Sequence, residues 1–285
     1  MTPSPTAGPS PEPPPSPAPP GSPSTSPSTS PSGPASDSPS GLPSGASPGS
    51  ASGSLSGPAS GSPSAGDARR FAAASLAAGD PTGWFEQLYA ESRAGQAEVP
   101  WDLPSPSAHL RALDLPAGEG RQALVVGCGP GRDAEYLAGL GYRVTAFDIS
   151  GTAIDLARER HPGTAVNYLV ADLLDPPADW RHAFHLVLES NNVQALPAPI
   201  RAAAIPTVGT FVAPGGTLVV LAAATTRIDS DGAGPPWPLT RAEIEAFGGD
   251  GLHTLSIDQV AAAGTTLPTR WKAIFTRAAH QQAAR

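Results

Sequence analysis

The chain has few residues that could cross-link it or bind polyanions. Cys128 is its only cysteine, so no internal disulfide can form, and six scattered histidines with no cysteine beside them give no zinc pattern. Lys272 is the only lysine and the net charge is -8, whereas phosphate binding requires clustered Lys and Arg. We therefore expect no metal site and no nucleic-acid partner, and we predict a small-molecule ligand.

Long apolar runs are also missing. The longest, around TLVVLAAA near residue 220, is far shorter than the ~20 residues that a membrane-spanning helix needs. The first residues lack the basic start and the apolar stretch of about 7 to 15 residues that are typical of a secretory signal. These absences predict a cytoplasmic protein without a membrane partner, and we take a monomer as the default oligomeric state.

Aromatic residues do not occur before Phe71. Residues 1–66 hold about half of the 36 prolines, together with many serines and glycines. Such a segment cannot bury enough apolar surface to offset the entropy of ordering it. We predict a disordered Pro/Ser/Gly-rich tail over residues 1–66, dispensable for the chemistry, and one domain over residues 67–285.

Short apolar runs alternate with helix-period stretches in the second half of the chain. This alternation predicts a Rossmann-like, doubly wound α/β fold with a mostly parallel sheet. Helical pieces over about 70–115 should precede a sheet core over about 120–277. Seven strands are predicted, at 122–127, 142–148, 166–170, 184–189, 217–223, 252–257 and 270–276.

Local patterns also predict helix boundaries. Thr152 with Asp155, and Thr240 with Glu243, have the spacing of a capping box, so a helix should begin at each pair. Pro206 lies within an apolar helical stripe ahead of the fifth strand. Because proline has no N–H and its ring clashes with the preceding turn, we predict two shorter helices there.

Three glycines alternate directly after the first predicted strand, in VVGCGPGRD. Gly127, Gly129 and Gly131 would let a ligand approach the backbone at the carboxyl edge of the sheet. The dinucleotide fingerprint G-x-G-x-x-G is not met, because Arg132 stands where its third glycine should be. No Gly-Lys-Ser/Thr follows either, so a phosphate clamp of the P-loop type is absent.

Two carboxylates end the next two strands. Asp148 follows Gly131 by 17 residues and could accept hydrogen bonds from ribose hydroxyls. Asp172 could accept a hydrogen bond from the exocyclic amine of adenine. Together with the glycine turn they favour a nucleoside site without phosphates. The alternative is an ordinary βα turn whose glycines serve geometry alone.

With these motifs the chain resembles the class I S-adenosylmethionine-dependent methyltransferases, in particular their thiopurine S-methyltransferase-like branch. The resemblance spans about residues 84–277. Its segments occur in the family's order and are PWD at 100–102, GCGPGRDAEYLAGLGYRVTAFDIS, ESNNVQALP after the fourth strand, APGGTLVVL at 213–221, GPPWPLTRAEIEAF at 234–247 and RWKAIFTR at 270–277.

The resemblance implies S-adenosylmethionine as the cofactor. The glycine turn would pass beneath its methionine part, Asp148 would hold the ribose, and Asp172 would meet adenine. Some relatives carry an arginine where this chain has Ser190, so Arg132 becomes the candidate for the cofactor carboxylate. The full implied cofactor set is Trp101, Gly127, Cys128, Gly129, Gly131, Asp148, Ile149, Asp172, Leu173, Glu189 and Ser190.

The acceptor is expected to be a small molecule with a thiol or a similar soft nucleophile. Methyl transfer from a sulfonium mainly requires alignment and exclusion of water, and a thiol ionises without a strong base. We expect Cys128 to be a small residue in a tight turn rather than a catalytic group. The candidate proton acceptors are Asp102, His109 and Glu189, each with a structural role as the alternative, and the candidate pocket walls are Trp84 and Trp237.

Two other functions remain open. An NAD-dependent oxidoreductase is disfavoured by Arg132 and by the lack of an evident group for hydride transfer. A non-catalytic nucleoside-binding protein, with the tail recruiting partners, would bind the cofactor without transferring a methyl group.

Overall fold

The computed structural model describes residues 63–225, 234–261 and 270–279. They all belong to one compact unit, Gly57–Arg285. The tail predicted over residues 1–66 lies outside the described residues, apart from its last four, which begin a helix at Pro63. No helix in the described ranges is both long and apolar enough to cross a membrane.

Three helices precede the sheet, as the sequence predicts. They are α1 (Pro63–Ala77), α2 (Gly83–Arg93) and α3 (Ala108–Arg111). Phe71 of α1 is buried, as are the aromatic residues of α2. Apolar packing therefore contributes to holding α1 and α2 against the rest of the domain, and the N-cap residues of α2 and α3 make no side-chain capping hydrogen bonds.

Seven strands form one sheet, which confirms the predicted α/β class. Its order is β3-β2-β1-β4-β5-β7-β6, with β7 antiparallel to both of its neighbours and every other pair parallel. The fifth strand begins five residues earlier than predicted. The strands are β1 (Gln122–Val126), β2 (Arg143–Asp148), β3 (Asn167–Val170), β4 (Phe184–Ser190), β5 (Val212–Ala223), β6 (Leu252–Val260) and β7 (Arg270–Arg277).

Both faces of the central strands are apolar, as a parallel sheet covered by helices requires. In β1, Leu124 and Val126 join one buried cluster, while Ala123 and Val125 join the other. The covering helices that follow the first strand are α4 (Arg132–Gly139), α5 (Gly151–Arg160), α6 (Ala198–Thr210) and α7 (Arg241–Glu245).

The capping box predicted for Thr152 and Asp155 is wrong. Helix α5 begins two residues earlier, with Ser150 as its N-cap, and the Ser150 hydroxyl accepts a hydrogen bond from the Ala153 N–H at 3.0 Å. Thr152 instead donates its hydroxyl and its N–H to Glu86 of α2, at 2.6 and 3.1 Å. A partner 66 residues away in the sequence thus replaces the local one.

The prediction of two helices around Pro206 is also wrong, because α6 is continuous. Pro206 lies on the solvent-facing side, and Ala202, whose carbonyl loses its helical partner there, is exposed as well. Water can therefore satisfy that carbonyl, and the buried Ala204 and Val208 hold the helix against the sheet. The second predicted capping box is confirmed, since Thr240 and Glu243 exchange both hydrogen bonds at the start of α7.

Candidate cofactor and acceptor site

The glycine turn joins β1 to α4 through left-handed backbone. Gly127 and Gly131 have φ values of 57° and 90°, which side-chain-bearing residues rarely adopt. A Cβ atom on Gly127 would lie 1.6 Å from Asn192 Nδ2, and one on Gly131 would lie 2.1 Å from Tyr168 Oη. Both the backbone conformation and neighbouring protein atoms therefore require glycine at these positions.

Asp148 fastens the end of β2 to this turn. One of its carboxylate oxygens accepts from the Gly129 N–H at 2.9 Å, and the other accepts from the Ser150 N–H at 3.0 Å. Burial raises the pKa of Asp148 to about 6, although these backbone hydrogen bonds pull it down. The carboxylate therefore holds the turn in place and also lines the adjoining cavity.

A cavity of about 420 Å³ opens at the carboxyl ends of β1 and β4. Its size falls in the range of small-molecule sites, which is roughly 300 to 1,000 Å³. The sequence-predicted residues that line it are Trp101, Asp102, Gly127, Cys128, Gly129, Arg132, Asp148 and Ser190. The structure thus brings together residues from the pre-sheet segment, the glycine turn and the fourth strand.

A second, smaller cleft of about 30 Å³ lies beside the first. Its lining includes Ile149, Asp172 and Leu173, which were predicted as the adenine contacts. Asn192 borders both spaces, as does Gly127. Asp172 has one oxygen committed to the Leu174 N–H at 2.8 Å, so its turn is ordered in the structure.

Several predicted site residues do not line either space. Gly131 is the N-cap of α4, and His109 lies in α3. Trp84 is fully buried and stacks on Phe85 at 3.9 Å, so it belongs to the core rather than to a pocket wall. Trp237 does not line the cavity either, whereas Pro235 and Pro236 do. The Trp237 N–H donates a hydrogen bond to the Gln194 carbonyl.

Glu189 is completely buried beneath the cavity, one residue before Ser190. Its Oε1 accepts from the N–H groups of Asn192 and Val193, both at 2.8 Å, and its Oε2 has no partner among the described residues. Burial raises the pKa of Glu189 to about 7 against the opposing effect of those hydrogen bonds and of Arg270. An unpaired carboxylate oxygen is thus left near the methionine end predicted for the cofactor.

Tyr89 was not predicted as a site residue. Its hydroxyl accepts a hydrogen bond from Trp101 Nε1 at 2.7 Å and lies 2.8 Å from where a Cβ of Gly129 would be. Helix α2 and the 100–104 loop therefore close over the glycine turn. No sequence motif marks Tyr89, because its position depends on how α2 packs across the sheet edge.

Asp102 is engaged in an ion pair and is not a free base. Both of its oxygens accept from Arg160 at the end of α5, at 2.5 and 2.6 Å. At the start of the same helix, Glu86 accepts from the hydroxyls of Ser150 and Thr152, each at 2.6 Å. The covering segment is thus fastened to both ends of α5.

Cys128 is held as a neutral thiol. Burial, and next the charge of Asp148, raises the pKa of Cys128 well above its ordinary value. Its Sγ donates weakly to the Gly129 carbonyl at 3.4 Å. This environment agrees with a small structural residue in the turn.

Two arginines that line the cavity carry buried nitrogens without a partner among the described residues. In Arg132 the atom is Nη1, and its Nε lies 3.6 Å from a carboxylate oxygen of Asp133. In Arg270 the atom is Nε, while its Nη2 donates to the side-chain oxygen of Asn191. Sequence reasoning missed Arg270, because the antiparallel β7 brings its first residue to the cavity from 79 positions along the chain.

Comparison with known proteins agrees with this architecture. Residues 123–216 match the model of a family described as a methyltransferase domain. A probable thiol methyltransferase 2 of Arabidopsis thaliana is 29% identical over 174 residues, covering 56% of this chain and 74% of that protein. A ubiquinone biosynthesis O-methyltransferase of Xanthomonas campestris pv. campestris is 31% identical over 145 residues, and the chain spans only 60% of its length.

Solved structures share the fold. The 1,6-didemethyltoxoflavin-N1-methyltransferase of Burkholderia thailandensis, bound to its substrate and S-adenosylhomocysteine, has a TM-score of 0.54 at 16% identity, covering 79% of this chain and 93% of that one. The N-methyltransferase NodS of Bradyrhizobium japonicum, in complex with S-adenosylhomocysteine, has a TM-score of 0.53 at 20% identity, covering 67% and 98%. Residues 123–216 thus match a methyltransferase domain, and the chain shares its fold with these two methyltransferases.

Proposed function

We propose that this protein methylates the sulfur of a small thiol, or a similarly soft nucleophile, with S-adenosylmethionine as the donor. The observation that carries the choice of acceptor is the state of the three carboxylates that line the cavity. Asp102 is paired with Arg160, Asp133 accepts from the Ser107 N–H at 2.8 Å, and Asp148 accepts from two backbone N–H groups. Because each is already engaged, an acceptor that ionises by itself suits this cavity best.

The residues present fit the cofactor. A methionine end brings an ammonium and a carboxylate, and the cavity region offers the orphaned acceptor Glu189 Oε2 and, directly after the glycine turn, the orphaned donor Arg132 Nη1. Asp148 keeps lone pairs on both oxygens for ribose hydroxyls, and Ile149 and Leu173 beside the smaller cleft offer apolar surface to adenine. We infer that these residues hold the cofactor, with Asp172 at the adenine amine.

When bound, the cofactor supplies a methyl group on a sulfonium, so the acceptor sulfur forms the new S–C bond as the old one breaks and its electron pair stays on the cofactor's sulfur. The protein aligns the acceptor sulfur with the methyl group and excludes water from the reacting atoms. Trp101 and Tyr89 cover the turn on one side, and Pro235 and Pro236 border the cavity on the other. A thiol proton is released to solvent before the reaction, and the residues that cover the cavity then limit the access of competing water.

A relative supports sulfur as the acceptor atom. The Arabidopsis protein is named as a probable thiol methyltransferase, and it matches this chain over more residues than the O-methyltransferases do. The likeness to the thiopurine S-methyltransferase branch in the order of motifs points the same way. Membership of that branch is part of the proposal.

A hydroxyl acceptor is the second candidate, and one observation favours it. The imidazole of His161 lines the cavity and forms no hydrogen bond among the described residues, so it could serve as a base for a phenol. The O-methyltransferase relatives are consistent with this reading. The two candidates differ in whether a protein group must take the acceptor proton.

The test is a panel of thiols, selenols, halides, phenols and amines, assayed with methyl-labelled cofactor and the full-length protein. The proposal expects transfer to thiols, with His161→Gln retaining their rate within about two-fold, and His185→Gln as a matched control far from the cavity. If only phenols are methylated, and His161→Gln abolishes that activity, the acceptor atom is oxygen rather than sulfur. Stabilisation by S-adenosylhomocysteine without any transfer would indicate a binding protein, and stabilisation by NAD alone would indicate an oxidoreductase.

A further inference from the structure

One positive group in the cavity is left without an ionic partner. Three arginines line the space, and two of them have a carboxylate close by: Arg160 is paired with Asp102, and Arg132 lies 3.6 Å from Asp133. Among the residues that the structure describes, Arg270 forms no ion pair. The charge of the Arg270 guanidinium is therefore not balanced by a carboxylate in ion-pair contact.

Arg270 is also short of hydrogen-bond partners. It begins β7, opposite Ala223 of β5, and its Nη2 donates to the neutral side chain of Asn191. Its Nε is buried and has no partner among the described residues. A buried, unsatisfied donor on a cation costs free energy, so this position is suited to a ligand that supplies an acceptor.

The neighbouring charges do not fill that role. Glu189 attracts Arg270 electrostatically, but it is not within ion-pair distance, and its own hydrogen bonds go to the backbone of the next turn. Burial, and next the charge of Arg270, lowers the pKa of His109. His109 is therefore neutral at physiological pH and adds no competing charge.

The cavity that Arg270 lines also has apolar walls. Leu103, Ala195, Pro235 and Pro236 line the same space. A ligand that matched these walls and Arg270 together would have an apolar body and one anionic end. The planar fork of a guanidinium fits a carboxylate best.

We propose that Arg270 binds a carboxylate on the methyl acceptor, so that the enzyme selects small carboxylate-bearing thiols over neutral ones. This inference rests on the proposed function for the reacting sulfur, but its recognition step does not. The carboxylate of the cofactor is assigned to Arg132, which follows the glycine turn, whereas Arg270 lies beside Asn191 at the β4 and β5 edge.

The first measurement is binding without reaction. The full-length protein, saturated with S-adenosylhomocysteine, is titrated calorimetrically with 4-(methylthio)benzoate and with 4-(methylthio)benzamide, which differ in charge but hardly in shape. We expect the carboxylate to bind at least about 10-fold more tightly, which is the lower end for a hydrogen bond to a charged group. Equal affinities in the wild-type protein would overturn the proposal.

Variants assign the preference to one residue. Arg270→Gln should bring the two affinities within about two-fold of each other, and Arg270→Lys should give an intermediate ratio because the charge remains without the fork. Arg241→Gln removes the same charge from an exposed site on α7 and should leave the wild-type ratio. S-adenosylhomocysteine affinity should stay within about two-fold in all three.

Two outcomes contradict the assignment. An unchanged ratio of benzoate to benzamide affinity in Arg270→Gln would mean that another group binds the carboxylate. A matching loss of S-adenosylhomocysteine affinity would mean that Arg270 holds the cofactor. If Arg270→Gln fails to fold, the wild-type ratio and Arg270→Lys still decide. Transfer to 4-mercaptobenzoate against 4-mercaptobenzamide is then compared: absence of transfer to both defeats the proposed function, while the binding ratio separately decides the inference.

Discussion

Asp148 combines two demands on one side chain. It must hold the glycine turn through the Gly129 N–H, and in the proposed complex it must also accept from the ribose. Both tasks favour the ionised form, whereas burial favours the neutral one and raises its pKa to about 6. A ligand that favours the ionised form can therefore shift the protonation of Asp148 near pH 6.

Replacing Asp148 by asparagine should weaken S-adenosylhomocysteine binding. Loss of a hydrogen bond to a charged group is expected to cost about 1.5 to 3 kcal/mol, or roughly 10- to 150-fold in Kd. Isothermal titration at pH 8 measures this directly, with the exposed Asp179→Asn as the control. An unchanged Kd would mean that the ribose lies elsewhere.

Cofactor binding should also depend on pH through the same carboxyl. If the ribose stabilises the ionised form, the affinity for S-adenosylhomocysteine is full above pH 7 and falls as the pH drops through about 6. Asp148→Asn should flatten that part of the profile. A wild-type Kd that is constant from pH 5 to pH 8 would contradict this reading.

Glu189 is expected to lower stability in the free protein. Its folded pKa of about 7 lies above the ordinary glutamate value of 4.5, so the folded state binds the extra proton and the free energy of unfolding decreases as pH rises from 4.5 to 7. Glu189→Gln removes that charge and keeps an oxygen for the Asn192 and Val193 N–H groups. Above pH 7 it should raise the free energy of unfolding by an amount on the order of 3 kcal/mol and weaken cofactor binding.

Urea unfolding at pH 5 and pH 8 checks this prediction, with S-adenosylhomocysteine titrations on the same samples. The gain in stability should appear at pH 8 and largely vanish at pH 5. A variant that loses stability at both values would show that Glu189 is held by favourable contacts instead. A gain in stability with unchanged affinity would remove Glu189 from the cofactor site.

At the scale of elements, helix α5 anchors the cover of the site. The Asp102–Arg160 pair ties the 100–104 loop to its carboxyl end, and Glu86 ties α2 to its amino end. The Asp102–Arg160 pair is partly exposed, with side-chain exposures of 22% and 44%, so it should add little to global stability. Its effect should instead be on how fast the loop opens.

Arg160→Gln should therefore speed the release of S-adenosylhomocysteine about three- to ten-fold, while the unfolding free energy changes by less than about 1 kcal/mol. Stopped-flow release measures the rate. The control is Arg93→Gln, which breaks another exposed pair between α2 and α5. Adding Asp102→Asn to Arg160→Gln should have no further effect, and additive effects would refute a direct coupling.

The elements also mark where sequence reasoning succeeded and failed. The sequence predicted all seven strands, and the apolar signal is continuous in the central strands because both of their faces are buried. The errors at Thr152 and Pro206 arise because tertiary context overrode a local rule. Thr152 bonds to Glu86 of another helix, and Pro206 lies on an exposed face of α6. Tyr89 and Arg270 could not be found at all, because only packing and strand order bring them to the cavity.

At the scale of the whole molecule, the described domain should not require the tail. The compact unit begins at Gly57, whereas Ala68 and Phe71 of α1 are buried in its core. Removing residues 1–56 should leave the unfolding midpoint and S-adenosylhomocysteine affinity unchanged. Removing residues 1–72 should destabilise the protein by about 3 to 5 kcal/mol, the usual cost of losing one buried phenylalanine.

Methylation of a thiol without a protein base can be tested with pH profiles of kcat/KM for two thiols of different acidity. 4-Mercaptobenzoate and 3-mercaptopropionate are compared with saturating cofactor and the full-length protein. Each profile should rise with a midpoint at the acceptor's own thiol pKa, so the two midpoints should differ by the difference between the two thiol pKa values. A common midpoint for both acceptors would contradict it, because the titrating group would then belong to the enzyme.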